Sequence, residues 1–285
     1  IAADDGSVGV FIGGGQNLVL GTNANTIKAS PDEFDPAKVE LKISEGGSTR
    51  KLSTDGLIGG SLAGLMRFQN EDLNAATNLL GQMATAVAGA VNKQQSLGLD
   101  LGQPAGAGAP IFSVGAGRVL SAAGNSGNAA LSVTVSDSSQ VEASDYALSF
   151  DGTNYTLTRA SDQSAVAGSP FSPAALAAGV QVDGIRVQLT GGSAGVNDRF
   201  LIEPAGVAAQ NMQTVLNNTK GLAAASPFTG SVGVNNTGSA SVASLTAVDP
   251  SYNGALGTTI TFTSDTGNYS WSMTDGSTGT GVWTA

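Results

Sequence analysis

Residues 61–97 read SLAGLMRFQNEDLNAATNLLGQMATAVAGAVNKQQSL, and this stretch decides the fold class. From Leu62 onward, alternating steps of four and three residues meet an apolar or small side chain at most positions as far as Ala90. This spacing is typical of a helix with a heptad seam. At a rise of about 1.5 Å per residue the helix would be roughly 55 Å long, which is more than a compact domain needs. We therefore predict a long, two-faced helix that packs against a partner of comparable length.

The residues that we assign to the packing face of this helix are apolar and share one side of it. They are Leu62, Leu65, Met66, Phe68, Leu73, Leu80, Met83 and Val87. Polar residues, including Asn78 and Thr85, fall on the opposite side. No second seam of this length occurs in the 285 residues. Either the helix packs on a sheet within this chain, or its helical partners belong to segments outside this sequence.

The composition limits the classes of function. The chain is 41% hydrophobic, so it can bury real cores, and its length allows two or three domains. The formal charge of −10 disfavours nucleic acid as a partner, because a phosphate backbone would be repelled. We expect no membrane span and no amino-terminal secretion signal, since no apolar run of the needed length and no basic, hydrophobic leader occurs.

Cysteine and histidine are both absent from the sequence. Their absence excludes disulfides, thiolate and imidazole metal sites, and every catalytic triad that uses His. Asp137, Glu142 and Asp145 are close in sequence but lack the ligand alternation of a calcium loop, so we interpret them as turn residues. We therefore predict a protein that is not an enzyme and binds no cofactor or metal.

The chain before the helix has the pattern of short strands. SVGVFIGGGQNLVLG, from Ser7 to Gly21, indicates a β-hairpin with a Gly-rich turn. A phosphate-binding loop is the less favoured alternative, because such a loop needs a helix after it and a strand-like LVL follows here. VELKI, at 39–43, alternates as a half-exposed strand. These strands would form a small sheet beside the helix.

The chain after the helix has an all-β pattern. GQPAGAGAP, at 102–110, has a linker composition, and short apolar runs then alternate with turn residues. We predict a fold of the α+β class, with antiparallel β domains on the outside, and domains at 1–110, 111–227 and 228–285. Residues 207–216 fit either a short helix or a strand. The five predicted strands of the middle domain are Leu131–Val135, Tyr146–Phe150, Tyr155–Thr158, Ile185–Leu189 and Phe200–Ile202.

A similar sequence unit occurs once in each of the two outer domains. ALSFDGTNYTLTRASDQSAVAG, starting at Ala147, resembles ITFTSDTGNYSWSMTDGSTGTGV, starting at Ile260. The first copy is followed by further strands and the second is not, so we expect the second β unit to be truncated and the chain to be a fragment. Aromatic residues near the second copy fit either strand packing, which we favour, or a sugar-binding platform. They are Tyr252, Tyr269, Trp271 and Trp283.

Three of these pieces, in this order, resemble the flagellar hook-associated protein 1 family, the FlgK type. They are SVGVFIGGGQNLVLG, the long helix with its exit NKQQSLGLDLGQ, and the pair DYALSFDGTNYTLTR and DRFLIEP. The resemblance implies an extracellular structural subunit of the bacterial flagellum that joins the hook to the filament. It also implies type III export, and contacts with the hook protein and hook-associated protein 3. In this family, long paired terminal helices polymerise and bind an export chaperone.

Neither terminal helical segment is present in these residues, which would explain a seam without a partner. We therefore expect the fragment to be monomeric and to lack the chaperone contact. Two other classes stay open: another flagellar axial subunit, either flagellin-like or a cap protein, and a surface β adhesin or glycan-binding module. The long seamed helix favours the junction subunit, because an adhesin has no use for it.

Overall fold

The computed structural model describes residues 8–12, 15–52, 59–239, 241–250 and 256–283. They form one long helix and several small antiparallel sheets, which confirms the predicted α+β class. The chain divides into two units, one made of residues 1–89 and 114–213 and the other of residues 90–113 and 214–285. The helix contributes residues to both units. The predicted boundaries after residues 110 and 227 stay a prediction.

Two three-stranded sheets, and not the single small sheet that the sequence predicted, precede the helix in the first unit. The predicted hairpin and the predicted strand at 39–43 are both confirmed, while Ser7, Gly13 and Gly14 lie outside the described residues. Leu41 and Ile43 point to the buried side of the second sheet and form a small core with Leu52. The strands are β1 (Val10–Ile12), β2 (Gln16–Leu20), β3 (Asn23–Ala24), β4 (Thr26–Pro31), β5 (Val39–Glu45) and β6 (Ser48–Lys51).

The long helix runs almost as predicted but is not uniform. It consists of α1 (Ser61–Arg67), one π-helical stretch (Phe68–Asp72) and α2 (Leu73–Ser96). A π turn adds a residue to the helical repeat, so the residues on its two sides do not keep one continuous phase. Beyond residue 89 the helix belongs to the second unit, where Asn92 Oδ1 accepts hydrogen bonds from the backbone N–H groups of Ile111 (2.8 Å) and Phe112 (3.1 Å). That contact holds the start of the short strand β7 (Phe112–Ser113).

The rest of the first unit is a two-layered β domain. One sheet has the strand order β11-β10-β14-β8 and the other β12-β13-β9, and both are antiparallel. All five predicted strands are confirmed, and their inward residues, such as Leu148, Leu157 and Ile185, are buried between the sheets. The elements are β8 (Arg118–Ser121), β9 (Ala130–Val135), β10 (Tyr146–Phe150), β11 (Tyr155–Arg159), α3 (Pro173–Ala178), β12 (Val180–Val182), β13 (Ile185–Gly191) and β14 (Arg199–Glu203).

Residues 207–216 form neither of the two predicted elements in full. Hydrogen-bonded turns run as far as Asn211, whose backbone N–H donates to Val207 (3.2 Å), and a two-residue strand follows. Later in the chain a three-stranded sheet of order β16-β17-β18 belongs to the second unit. The remaining elements are β15 (Gln213–Thr214), a 3₁₀ turn (Thr219–Gly221), β16 (Thr258–Phe262), β17 (Asn268–Met273) and β18 (Thr278–Val282).

Candidate assembly surface

The predicted packing face of the helix is mostly uncovered within the described residues. Met66 is buried in the small core beneath β5, next to Leu41 and Ile43. The other seven predicted residues are between 45% and 65% exposed: Leu62, Leu65, Phe68, Leu73, Leu80, Met83 and Val87. Monomeric soluble proteins rarely expose a large contiguous apolar surface. We call these seven residues the exposed seam.

The other side of α2 packs closely on the β domain through its small residues. A Cβ atom added to Gly81 would lie 1.9 Å from the Ala205 carbonyl oxygen, and one added to Gly89 would lie 1.9 Å from the Ser138 hydroxyl oxygen. The Gln82 side chain donates a hydrogen bond of 2.7 Å to the Val141 carbonyl. The glycines therefore remain in the helix because only a bare backbone allows this approach.

Two residues that the sequence placed on the polar side of the helix are buried by this contact. Asn78 and Thr85 are covered in the structure, and the seven apolar residues of the exposed seam are not. Periodicity shows which residues share a face, but it does not show which face a distant part of the chain will cover. Gly81 and Gly89 lie on the same side of the helix as Asn78 and Thr85. These two glycines were the sequence feature that could have predicted close packing on that side.

A polar cluster, in which Asn78, Asp145 and Glu203 are buried, lies where the helix, the β4–β5 loop and the β domain meet. Its members are Asn78 on α2, Lys38 before β5, Arg118 on β8, Asp145 before β10 and Glu203 on β14. Arg118 Nε donates to Glu203, and Lys38 Nζ lies 4.0 Å from a Glu203 carboxylate oxygen. Lys38 also donates to the Asn74 side chain (2.9 Å). Glu203 is thus paired with two cations.

Asp145 is the uncompensated member of this cluster. It is only 8% exposed, and its Oδ1 atom has no hydrogen-bond partner among the described residues. Burial, and then the negative charge of Glu203, raise the pKa of Asp145 to about 6, against the lowering effect of the Asn78 amide and the two cations. The sequence reading of Asp145 as an ordinary turn residue is therefore incomplete. Its partners come from distant parts of the chain, so no local pattern could reveal them.

The β4–β5 loop ties the small sheet to the β domain by further polar contacts. The Glu33 carboxylate accepts a hydrogen bond from Arg199, and the Glu33 carbonyl accepts one from the backbone of Ala123 (2.8 Å). Asp35 lies 3.4 Å from Arg118. These contacts bridge segments more than 80 residues apart, so the joint between sheet and β domain has more than one attachment.

The described residues hold no group of three or more Asp, Glu, His or Cys side chains that could bind a metal ion. No helix in that part of the chain is long and apolar enough to cross a membrane. Of the four aromatic residues near the second copy, Tyr269 and Trp271 lie two residues apart on β17, Trp283 is exposed, and Tyr252 falls outside the described residues. The surface that stands out in this geometry is the exposed seam.

Two family models match the chain. One, described as the helical domain of the flagellar hook-associated protein FlgK, matches residues 1–112, and the other, a D2-like domain of flagellar hook-associated protein 1, matches residues 120–204. The chain belongs to the FlgK family. The first FlgK model spans the small sheets and the long helix, and the second spans the two-layered β domain. The resemblance inferred from the sequence is confirmed.

FlgK relatives show the same match. The chain is 32% identical over 224 residues to flagellar hook-associated protein 1 of Escherichia coli, which covers 78% of this chain and 40% of that protein. It is 33% identical over 228 residues to the Salmonella typhimurium protein of the same name, covering 78% and 39%. The flagellar hook junction protein FlgK from Burkholderia pseudomallei has a similar structure, with a TM-score of 0.70 and 32% identity over 80% of this chain and 41% of that one. The chain thus spans about two fifths of the length of these relatives.

Proposed function

We propose that this protein is a structural, non-enzymatic subunit that joins the hook to the filament in the bacterial flagellum. The observation that carries the proposal is the exposed seam on the long helix, in a chain of the FlgK family. The seam is the surface on which the polymerising helices of the subunit pack, and through those helices the subunit is built into the flagellum. Its occupants are helical segments of the full-length polypeptide that lie outside these 285 residues.

The energetics support this role for the seam. Full burial of one Leu, Val, Phe or Met side chain contributes about 1.5–3 kcal/mol, so covering seven of them is a strong driving force even if each is only half buried. The small sheet covers Met66 but none of the other seven predicted residues to less than 45% exposure. Helices suit the seam as partners because its three-and-four spacing is that of helix-on-helix packing.

The same proposal includes the neighbours of the subunit. The hook protein lies on one side and hook-associated protein 3 on the other, and the assembled protein is extracellular after export without a cleavable signal. The chaperone contact belongs to terminal helices outside this sequence. Without those helices the 285-residue chain is monomeric, and sedimentation at micromolar concentration giving a discrete oligomer would contradict this part of the proposal.

Charged substitutions in the seam of the full-length protein test the role directly. Leu73→Asp, Leu80→Asp and Val87→Asp each place an ionised group where apolar contact is needed, and burying such a charge costs far more than the lost contact. We expect each variant to fail to support filament growth and swimming in a strain that lacks its own copy. Junction assembly can be read separately by whether filament subunits accumulate in the medium.

Ala75→Asp is the matched control, because Ala75 is exposed on α2 and is not one of the seam residues. This variant adds the same charge to the same helix, so cells that carry it should swim normally. Circular dichroism of the secreted variants separates misfolding from failed assembly. Normal swimming by the three seam variants would refute the proposal.

A further inference from the structure

The sheet β16-β17-β18 repeats the arrangement of the β10–β11 hairpin in register as well as in sequence. Leu148 pairs with Leu157 across β10 and β11, and Ile260 pairs with Trp271 across β16 and β17. At the turn end of each hairpin a Phe faces a Tyr: the rings of Phe150 and Tyr155 are 4.6 Å apart, and those of Phe262 and Tyr269 are 6.0 Å apart. Equivalent residues therefore face the same side of both hairpins.

The equivalence extends to the segment after the second strand. In the first copy the backbone N–H of Arg159 donates to Ser164 (2.8 Å), and the chain turns back beside β11. In the second copy the N–H of Met273 donates to Ser277 (2.8 Å), and the chain turns back as β18. The two copies thus share three consecutive chain segments and their pairing.

The apolar face of the first copy is fully covered. Leu148 and Leu157 are at most 1% exposed, because β12, β13, β9 and α3 pack across them. The outer edge of β10 is taken by β14, which pairs with it in antiparallel fashion. Most of these covering elements follow the hairpin in the sequence, and β14, the strand that pairs with β10, is among them.

The same face of the second copy is open. Ile260 is 58% exposed and Phe262 is 49% exposed, and β16 is an edge strand within the described sheet. Tyr269 and Trp271 lie across Gly281 and Gly279 of β18, so close that a Cβ atom on either glycine would be within 2.6 Å of the ring. This aromatic-over-glycine packing gives the face a continuous apolar surface.

The other face of the same sheet is polar. The residues at the alternate positions of all three strands are Thr259, Thr261, Ser270, Ser272, Thr278 and Thr280. A sheet that is apolar on one side and covered with hydroxyl groups on the other is built to be buried on one side only. Covering the apolar face would stabilise the sheet further, because apolar surface gains free energy when it is removed from water.

We propose that the apolar face of β16-β17-β18 is covered in the full-length protein by strands of the same chain that follow residue 285, one of which pairs with the free edge of β16. The second copy then becomes a two-layered β domain of the same kind as the first. The described residues between 222 and 250 contain no strand or helix that could supply this layer. The relatives provide enough chain for it, because the matched 78–80% of this chain corresponds to only 39–41% of their length.

Single cysteines test which face is covered, since the 285 residues contain no Cys that would compete for the label. Ile260→Cys places a thiol on the apolar face, and Thr261→Cys places one on the hydroxyl face of the same strand. Both are labelled with a neutral maleimide in the full-length, unassembled protein and in the 285-residue chain. Phe262→Cys provides a second apolar-face position if Ile260→Cys does not fold.

We expect the thiol at position 260 to react at least about tenfold more slowly than the thiol at 261 in the full-length protein, because a buried thiol reacts only through local opening. In the 285-residue chain the two rates should be similar. Equal rates at both positions of the full-length protein would overturn the proposal. Protection of position 260 that appears only after assembly onto a flagellum would also overturn it, because the cover would then come from a neighbouring subunit.

Discussion

Replacing Asp145 with Asn should stabilise the first unit at neutral pH. The folded protein raises the pKa of this carboxyl from 3.8 to about 6, first through burial and then through the nearby Glu203 charge. A group whose pKa is raised by folding is protonated more readily in the folded state, so its ionisation opposes folding at high pH. The shift corresponds to a cost of about 3 kcal/mol at pH 7.5, and roughly half of it is relieved at pH 5. Asn occupies the same space without the charge.

Urea denaturation followed by circular dichroism between pH 5 and 8 measures this effect. The original protein should become more stable as the pH falls from 7.5 to 5. The Asp145→Asn variant should be about 1–3 kcal/mol more stable at pH 7.5 and should lose most of this pH dependence. The sequence has no His, so no imidazole titrates in the same window.

Glu142→Gln is the control for this experiment, because it removes one negative charge from the same loop at an exposed position. It should change neither the stability at pH 7.5 nor the slope by more than about 0.5 kcal/mol. If Asp145→Asn proved less stable than the original protein at pH 7.5, or kept the same pH dependence, the assignment of an uncompensated buried charge would be refuted.

Three further predictions concern substitutions at single positions. Gly81→Ala should destabilise the protein by about 1–3 kcal/mol, because its methyl group would meet the Ala205 carbonyl. Gly64→Ala should instead stabilise the protein by about 1 kcal/mol, because its added Cβ has no neighbour within 4 Å. The Gly64→Ala variant should therefore have the higher melting temperature of the two, and a higher melting temperature for Gly81→Ala would contradict the packing described here. The Asp198 carboxylate accepts three backbone N–H groups at 2.7–2.9 Å, first among them that of Ser126, which lowers its pKa. Asp198→Asn should therefore lower the urea midpoint at pH 7. The difference should disappear below about pH 4, because the carboxylate of the original protein is then protonated and no longer stabilises the fold. A urea midpoint that is unchanged at pH 7 would count against a stabilising role of the Asp198 carboxylate.

Local patterns in the sequence predicted most of the secondary structure. Strands with strict alternation, such as VELKI at 39–43, and runs bounded by turn residues, such as Tyr146–Phe150, formed where expected. Both depend on the side-chain period of two and on turn chemistry, which neighbouring residues determine. The π-helical stretch Phe68–Asp72 was not predicted, because the heptad spacing continues through it without a visible interruption.

Long-range contacts set the limit of what the sequence could predict. The seam residues were identified as one face, but the burial of Asn78 and Thr85 on the other side depends on where the β domain packs. The polar cluster likewise joins Lys38, Asp145 and Glu203, which are separated by more than 50 residues at each step. A single sequence contains no pattern that predicts contacts among residues so far apart. The packing of the helix on the β domain left one indication, because a glycine at position 81 allows a close neighbour on that face of the helix.

The β4–β5 loop has a mechanical consequence. Its Glu33, Asp35 and Lys38 reach Arg199, Arg118 and Glu203 of the β domain, while Lys38 also holds Asn74 on the helix. A force that separates the loop from the β domain is therefore shared among several short polar links in parallel and does not pass through one covalent hinge. Because these links connect segments that are distant in the sequence, the loss of any one of them leaves the others in place to hold the sheet and the β domain together.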